Sequence, residues 1–151
     1  MARKVLVAVD GSDNSERAFN FFLDHIYREG DLVNILYVTT TPHLPALSLE
    51  SPMSFPVQEW QSKLQKQVIE SQKIVGQFEA LCESKKISKK PHLIAGSPGE
   101  TICEVADREH VSFIVMGSRG LNALRRTFTG SVSDYVLRHA HVPVTVVPPG
   151  K

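Results

Sequence analysis

Five short apolar runs, separated by stretches whose apolar residues recur at helical spacing, constrain this chain more than any other feature. Val5 to Val9 is the clearest run. It is continuous and rich in β-branched residues, as expected of a strand covered on both faces. Leu32 to Val38, Pro91 to Ala95, Val111 to Met116 and Val144 to Val147 read as the other four strands. Between the first two, Ala18, Phe19, Phe22, Leu23 and Ile26 lie behind the candidate caps Ser12 and Asn14, with Gly30 placed to end a helix. A helix between consecutive strands rules out a hairpin and predicts parallel pairing through right-handed crossovers. The stripe Trp60, Leu64, Val68, Ser71, Val75, Phe78 and Cys82 predicts a long core-facing helix, with Lys63, Lys66, Glu70 and Lys73 opposite. Ser97-Pro98-Gly99-Glu100 predicts a capping box with proline at the first helical position, and Ser131-x-x-Asp134 reads as the cap of the last helix. The expected fold is therefore α/β: an open twisted parallel five-stranded sheet with helices on both faces.

At 151 residues the chain fits one domain spanning 1–151, large enough to bury about 70% of its unfolded surface. Thr39 to Pro56 differs in kind, with four prolines among serines and threonines. A segment of that length is read either as a flexible linker or as a lid, since it leaves the carboxyl end of the second strand. A formal net charge of +1 argues against a broad nucleic-acid footprint or an anionic membrane surface. Cys82 and Cys103 lack the spacing of a metal knuckle or redox pair and read as small buried residues in a reducing compartment. The N-terminus has no signal-peptide apolar region, and no apolar run approaches a membrane span, so a cytoplasmic location is expected.

The chemistry is carried by the stretch from Phe113 to Ser133. Its apolar run stops at Gly117, a second glycine follows at Gly120, and after nine residues Gly130-Ser131 opens a helix. Strand end, glycine-bearing loop and helix N-terminus describe an anion cradle. Glycine lets backbone N–H groups approach a ligand, and the first helical turn offers unpaired donors and partial positive charge. Phosphate is the expected guest. A Walker A loop is absent, because the only Gly-Lys is the terminal Gly150-Lys151; a dinucleotide fingerprint is absent, because no two of the nine glycines stand two apart. Arg119, Arg125 and Arg126 are candidates either for phosphate contact or for solvated loop positions. His139 and His141, at a helix end and the following turn, read as cations beside the dipole, with a metal site as the alternative.

Gly117-x-x-Gly120, nine residues, then Gly130-Ser131, together with Val5 to Ser12 and the closing Val132 to Val147, resembles the signature of the universal stress protein family in its ATP-binding branch. The resemblance covers nearly the whole chain. It implies a Rossmann-like, adenine nucleotide alpha hydrolase-like sheet of order 3-2-1-4-5, whose winding reverses between strands one and four. Asp10 and Gly117 would then share one crevice. It also implies a site in which Val38 meets the adenine edge by its backbone, while Val9 and Asp10 lie near the ribose and a Mg²⁺ ion that Asp10 helps to hold. Met116 to Ala123, including Arg119, would wrap the ribose and phosphates, with Gly117, Gly120 and Gly130 permitting close approach. Ser131, Val132 and Ser133 would offer N–H and hydroxyl donors to the outer phosphates.

The function so implied is an ATP-binding stress-response protein that senses or carries adenine nucleotide. Slow hydrolysis at most is expected, since no second carboxylate and no water-orienting residue stand in the motif. The alternatives are a Mg-dependent ATPase or phosphotransferase and a nucleotide-free dimerising module. A homodimer through Val144 to Val147 is expected as well, because that edge carries no charge between Val142 and Pro149.

Overall fold

The computed structural model describes residues 2–40, 57–118 and 130–150. Its elements alternate as the apolar runs require: β1 (Lys4–Val9), α1 (Asp13–Phe21), β2 (Leu32–Thr39), α2 (Val57–Ser84), β3 (Ser88–Ala95), α3 (Pro98–Arg108), β4 (Phe113–Gly117), α4 (Ser131–His139) and β5 (Val144–Val147). All pairings are parallel and the order is β3-β2-β1-β4-β5. The central register sets Val7 of β1 between Ile35 of β2 and Val115 of β4.

Because strand side chains alternate, the sheet has two buried faces. Val5, Val7, Val9, Val33 and Ile35 pack with Phe19 and Phe22 from the α1 segment and with Val75, Phe78 and Cys82 of α2. On the other side Leu6, Leu36, Ile114 and Met116 pack with Ile102 and Val105 of α3 and Val136 of α4. Strands β1, β2, β4 and β5 thus feed both cores, which is why β1 reads as uninterrupted apolar sequence. Burial pushes the Cys82 thiol up to about 11, as suits an inert packing residue.

Several boundaries differ from the sequence reading. Helix α1 runs into a π-helical turn, Phe22–Ile26, closed by the Tyr27 amide donating to the Phe22 carbonyl at 2.8 Å. Gly30 does not end that helix; it lies in the later turn into β2 with φ of 93°. Strand β3 begins at Ser88, three residues before Pro91, because an edge strand tolerates proline and exposed lysines. Ser97 caps α3 without a side-chain hydrogen bond, so the expected capping box is not formed. The stripe on α2 is core only in its later part: Ser71, Val75, Phe78 and Cys82 are buried, whereas Val68 is 51% exposed.

The amino end of the sheet is tightly closed. Arg3 donates from Nε and Nη2 to the two oxygens of Asp31 at 2.9 and 2.6 Å, and the Arg28 amide adds a bond at 2.9 Å. Burial pushes the Asp31 carboxyl up, but the Arg3 hydrogen bonds and the Arg28 amide hold it below its usual value. No helix among the described residues is long and apolar enough to cross a membrane.

Candidate functional site

The chain leaves β1 toward α1 on one face and leaves β4 toward α4 on the other, so the carboxyl ends of these neighbours part and a crevice opens. It encloses about 340 Å³, within the ~300–1,000 Å³ usual for small-molecule sites. Val9 and Asp10 line it from β1 and Val38 from β2. Met116 and Gly117 line it from β4, and Gly130, Ser131, Val132 and Ser133 from the start of α4. Residues far apart in the chain, such as Asp10 and Gly117, thereby meet. Arg119 and Gly120 lie outside the described residues, as do Arg125, Arg126 and the remainder of the expected ribose and phosphate wrap to Ala123.

The two helix starts at this crevice are built differently. At α1, Ser12 is the cap, and its Oγ accepts from the Ser15 amide at 3.1 Å. The Asp10 carboxylate accepts from the Ser12 amide at 2.8 Å and from the Ser12 hydroxyl, while the Asp10 amide donates to Ser15 Oγ at 2.8 Å. Side chains therefore occupy the amides of Asp10, Ser12 and Ser15 there. At α4 the cap is Gly130, with Ser131 already the first helical residue, and no side chain caps the helix. This corrects the reading of Ser131 as the cap. The first-turn amides of α4 keep their outward donors and the partial positive charge of the helix end.

Individual residues sharpen the picture. Gly130 has φ of −69°, which any residue adopts, so its value lies in having no side chain over the α4 amides. At Gly117 a Cβ would stand 3.0 Å from the Asn14 carbonyl oxygen, so glycine there also admits the start of α1. Ser133 is buried, and its hydroxyl donates to the Gly130 carbonyl at 2.9 Å. Its single proton is therefore engaged, and of the donors expected from Ser133 the amide is the one left to a ligand. No group of three or more His, Cys, Asp or Glu side chains among the described residues is placed to hold a metal ion. Asp10 is one carboxylate tied into its own turn, so these residues do not make a metal site by themselves. His139 instead stacks on Tyr135, and His141 pairs with Asp107 at 3.1 Å.

The sequence reading did not place Ser15, Pro98 or Ile102 at the site, and they also line the crevice. Pro98 and Ile102 arrive with α3, which approaches α4 closely: a Cβ on Gly99 would stand 2.6 Å from the Tyr135 ring. Only the packing of two helices reveals that wall. Ser118, inside the expected wrap from Met116 to Ala123, lines the crevice as well. It is 2% exposed, and its Oγ has no hydrogen-bond partner among the described residues.

A doubly wound parallel sheet with an open helix start at its switch point defines an α/β domain of the kind that receives anionic ligands. The chain belongs to the universal stress protein family, whose model matches residues 1–148. It is 30% identical to universal stress protein YxiE of Bacillus subtilis, over 97% of this chain and 99% of that one. It is 35% identical to universal stress protein PHOS34 of Arabidopsis thaliana, over 96% of this chain but 61% of that protein, so it spans less than two thirds of that relative. In fold it is similar to a universal stress protein family protein from Arabidopsis thaliana solved with AMP bound. The TM-score is 0.72 at 22% identity, covering 98% of this chain and 92% of that one.

Proposed function

We propose that this protein binds an adenine nucleotide, ATP in the first place, in the crevice between β1 and β4, and that it retains the nucleotide far more than it turns it over. The observation that carries this reading is the uncapped start of α4, where Gly130, Ser131, Val132 and Ser133 line the crevice with no side chain capping the helix. The AMP bound to the relative of like fold supports the same ligand class. Val38, Ile102 and Met116 would supply apolar wall for a base, and the α4 start would supply the anion seat. Mg²⁺ would enter with the phosphates, Asp10 being the single carboxylate among the described lining residues. Slow hydrolysis follows from the same inventory, since the described part of the crevice offers no second carboxylate to orient water.

Among the described residues, strand β5 pairs with β4 alone, leaving its outer row of backbone groups without a strand neighbour there. We propose that two copies pair through this edge about a two-fold axis. Mass spectrometry of gently purified protein tests the ligand: a co-purifying adenine nucleotide is expected. Failure of ATP to bind in calorimetry, with none co-purifying, refutes the reading. Light scattering on a column tests the pairing. A wild-type monomer at micromolar concentration, or a folded Val146→Pro variant that stays dimeric, refutes it.

A further inference from the structure

We propose that the amino end of the sheet, opposite the crevice, is a docking face for a short acidic segment of a partner protein, held by Arg28, Lys85 and Lys86. Because the strands run parallel, the start of β1 and the turns entering β2, β3 and β4 collect at this end. Segments 3–4, 28–31, 83–90 and 108–112 carry eight Lys and Arg against four Asp and Glu, a net of +4 on a chain whose total is +1. Helix ends explain only part of that excess. The carboxyl ends of the α1 segment, α2 and α3 supply about half a negative charge each, or roughly one and a half together.

Three of the four acids are already taken. Asp31 holds Arg3 at 2.6 Å, Glu83 holds Lys89 at 2.9 Å, and Glu109 holds Lys90 at 2.9 Å. Arg28, Lys85 and Lys86 are exposed and form no ion pair among the described residues. Lys86 has φ of 57°, a left-handed conformation that disfavours any residue with a Cβ, so local backbone preference does not account for a lysine there. The Lys86 amide donates to the Glu83 carbonyl at 3.1 Å and the Ile87 amide to the Cys82 carbonyl at 2.9 Å, so both lysines leave from a pinned turn. Ser88, Leu32, Lys4 and Phe113 begin the four strands, a row about 14 Å wide, which about four extended residues would span. None of the exposed large apolar side chains among the described residues lies in these segments, so bases find no stacking platform and lipid no apolar wedge. A run of carboxylates is the polyanion that fits. The crevice opens at the opposite ends of the same strands, so such a partner leaves it uncovered.

Fluorescence anisotropy of a labelled decaglutamate peptide with the full chain tests this. Wild type is expected to bind the peptide at ~50 mM salt, and several-fold more weakly at ~200 mM. The double variant Lys85→Glu, Lys86→Glu should lose about tenfold or more in affinity. The control Lys63→Glu, Lys66→Glu makes the same change in net charge toward the other end of α2 and should stay within about threefold of wild type. Lys86→Gly suits the left-handed turn, so its unfolding midpoint should equal or exceed that of wild type while the peptide binds less tightly. No binding by wild type, equal losses in the two double variants, or a lower midpoint in Lys86→Gly overturns the inference. Tighter binding of an oligothymidine of equal length, or of phosphatidylserine vesicles, than of the peptide at the same salt overturns it as well.

Discussion

The starts of α1 and α4 face the same crevice and have opposite constructions. The α1 start is closed by its own side chains: Ser12 caps it, Asp10 holds Ser12, and Ser15 holds the Asp10 amide. The α4 start is left open, with glycine at the cap and Ser133 turned to the Gly130 carbonyl. A closed start gains stability from within the chain, typically ~1 kcal/mol for a serine cap. An open start forgoes that gain and keeps its donors for something from outside. Position alone thus does not identify an anion site; two helix ends at one switch point can divide the tasks of building the turn and receiving the ligand.

Breaking the open start should have the largest effect. Gly130→Val places a branched side chain beside the α4 amides at a φ that valine tolerates, so ATP affinity should fall by roughly two orders of magnitude while circular dichroism stays native. Converting the open start into a closed one sharpens the comparison. Gly130→Asp should raise the unfolding free energy by a few tenths of a kcal/mol through capping, and lower ATP affinity by at least tenfold through occupied donors and like charge. Those opposite signs, read by denaturant unfolding and calorimetry on one variant, separate the two roles.

Breaking the closed start should do the reverse. Ser12→Ala is expected to cost about 1 kcal/mol of stability and to change ATP affinity less than about threefold. A loss of affinity as large as that of Gly130→Val would show that both starts hold the ligand.

The smallest expected effect lies away from both starts. His92 is buried, with Nε2 2.9 Å from Asn34 Oδ1; burial holds its pKa below the usual value, opposed by Glu109 and reinforced by Lys90 and Arg108. A group so depressed contributes stability above its unfolded value of ~6.5 that is lost as pH falls through its folded value. The melting temperature should therefore decline modestly from pH 7 to 5. His92→Gln should flatten that decline without altering ATP affinity at pH 7.

Much of this was legible in the sequence because period and punctuation are local signals. The uninterrupted apolar run of β1 announced a strand buried on both faces, and the order of the sheet followed once Gly117-x-x-Gly120 and Gly130-Ser131 had suggested the family. The exposed first half of α2 was not legible, since spacing reports which residues share a face but not whether anything packs on it. Hydrogen-bond partners were hidden for a similar reason. Ser131 and Ser133 look alike as candidate donors in sequence, yet one is exposed and the other is turned to Gly130. The wall formed by Pro98 and Ile102 depends on Tyr135 lying over Gly99, a contact between helices that no local pattern encodes.

The bond from the Gly130 amide to the Ser118 carbonyl has an engineering consequence. It joins the two ends of the segment 119–129 by backbone atoms, so the seating of α4 against β4 does not rely on the length of the chain between them. Lengthening a connection whose ends are already held costs little, on the order of 0.6 kcal/mol per doubling. A reporter peptide grafted between Arg125 and Arg126, or new termini opened there by circular permutation, should leave the crevice walls where they are. A fluorophore carried at that graft would make the molecule a scaffold for testing nucleotide occupancy optically.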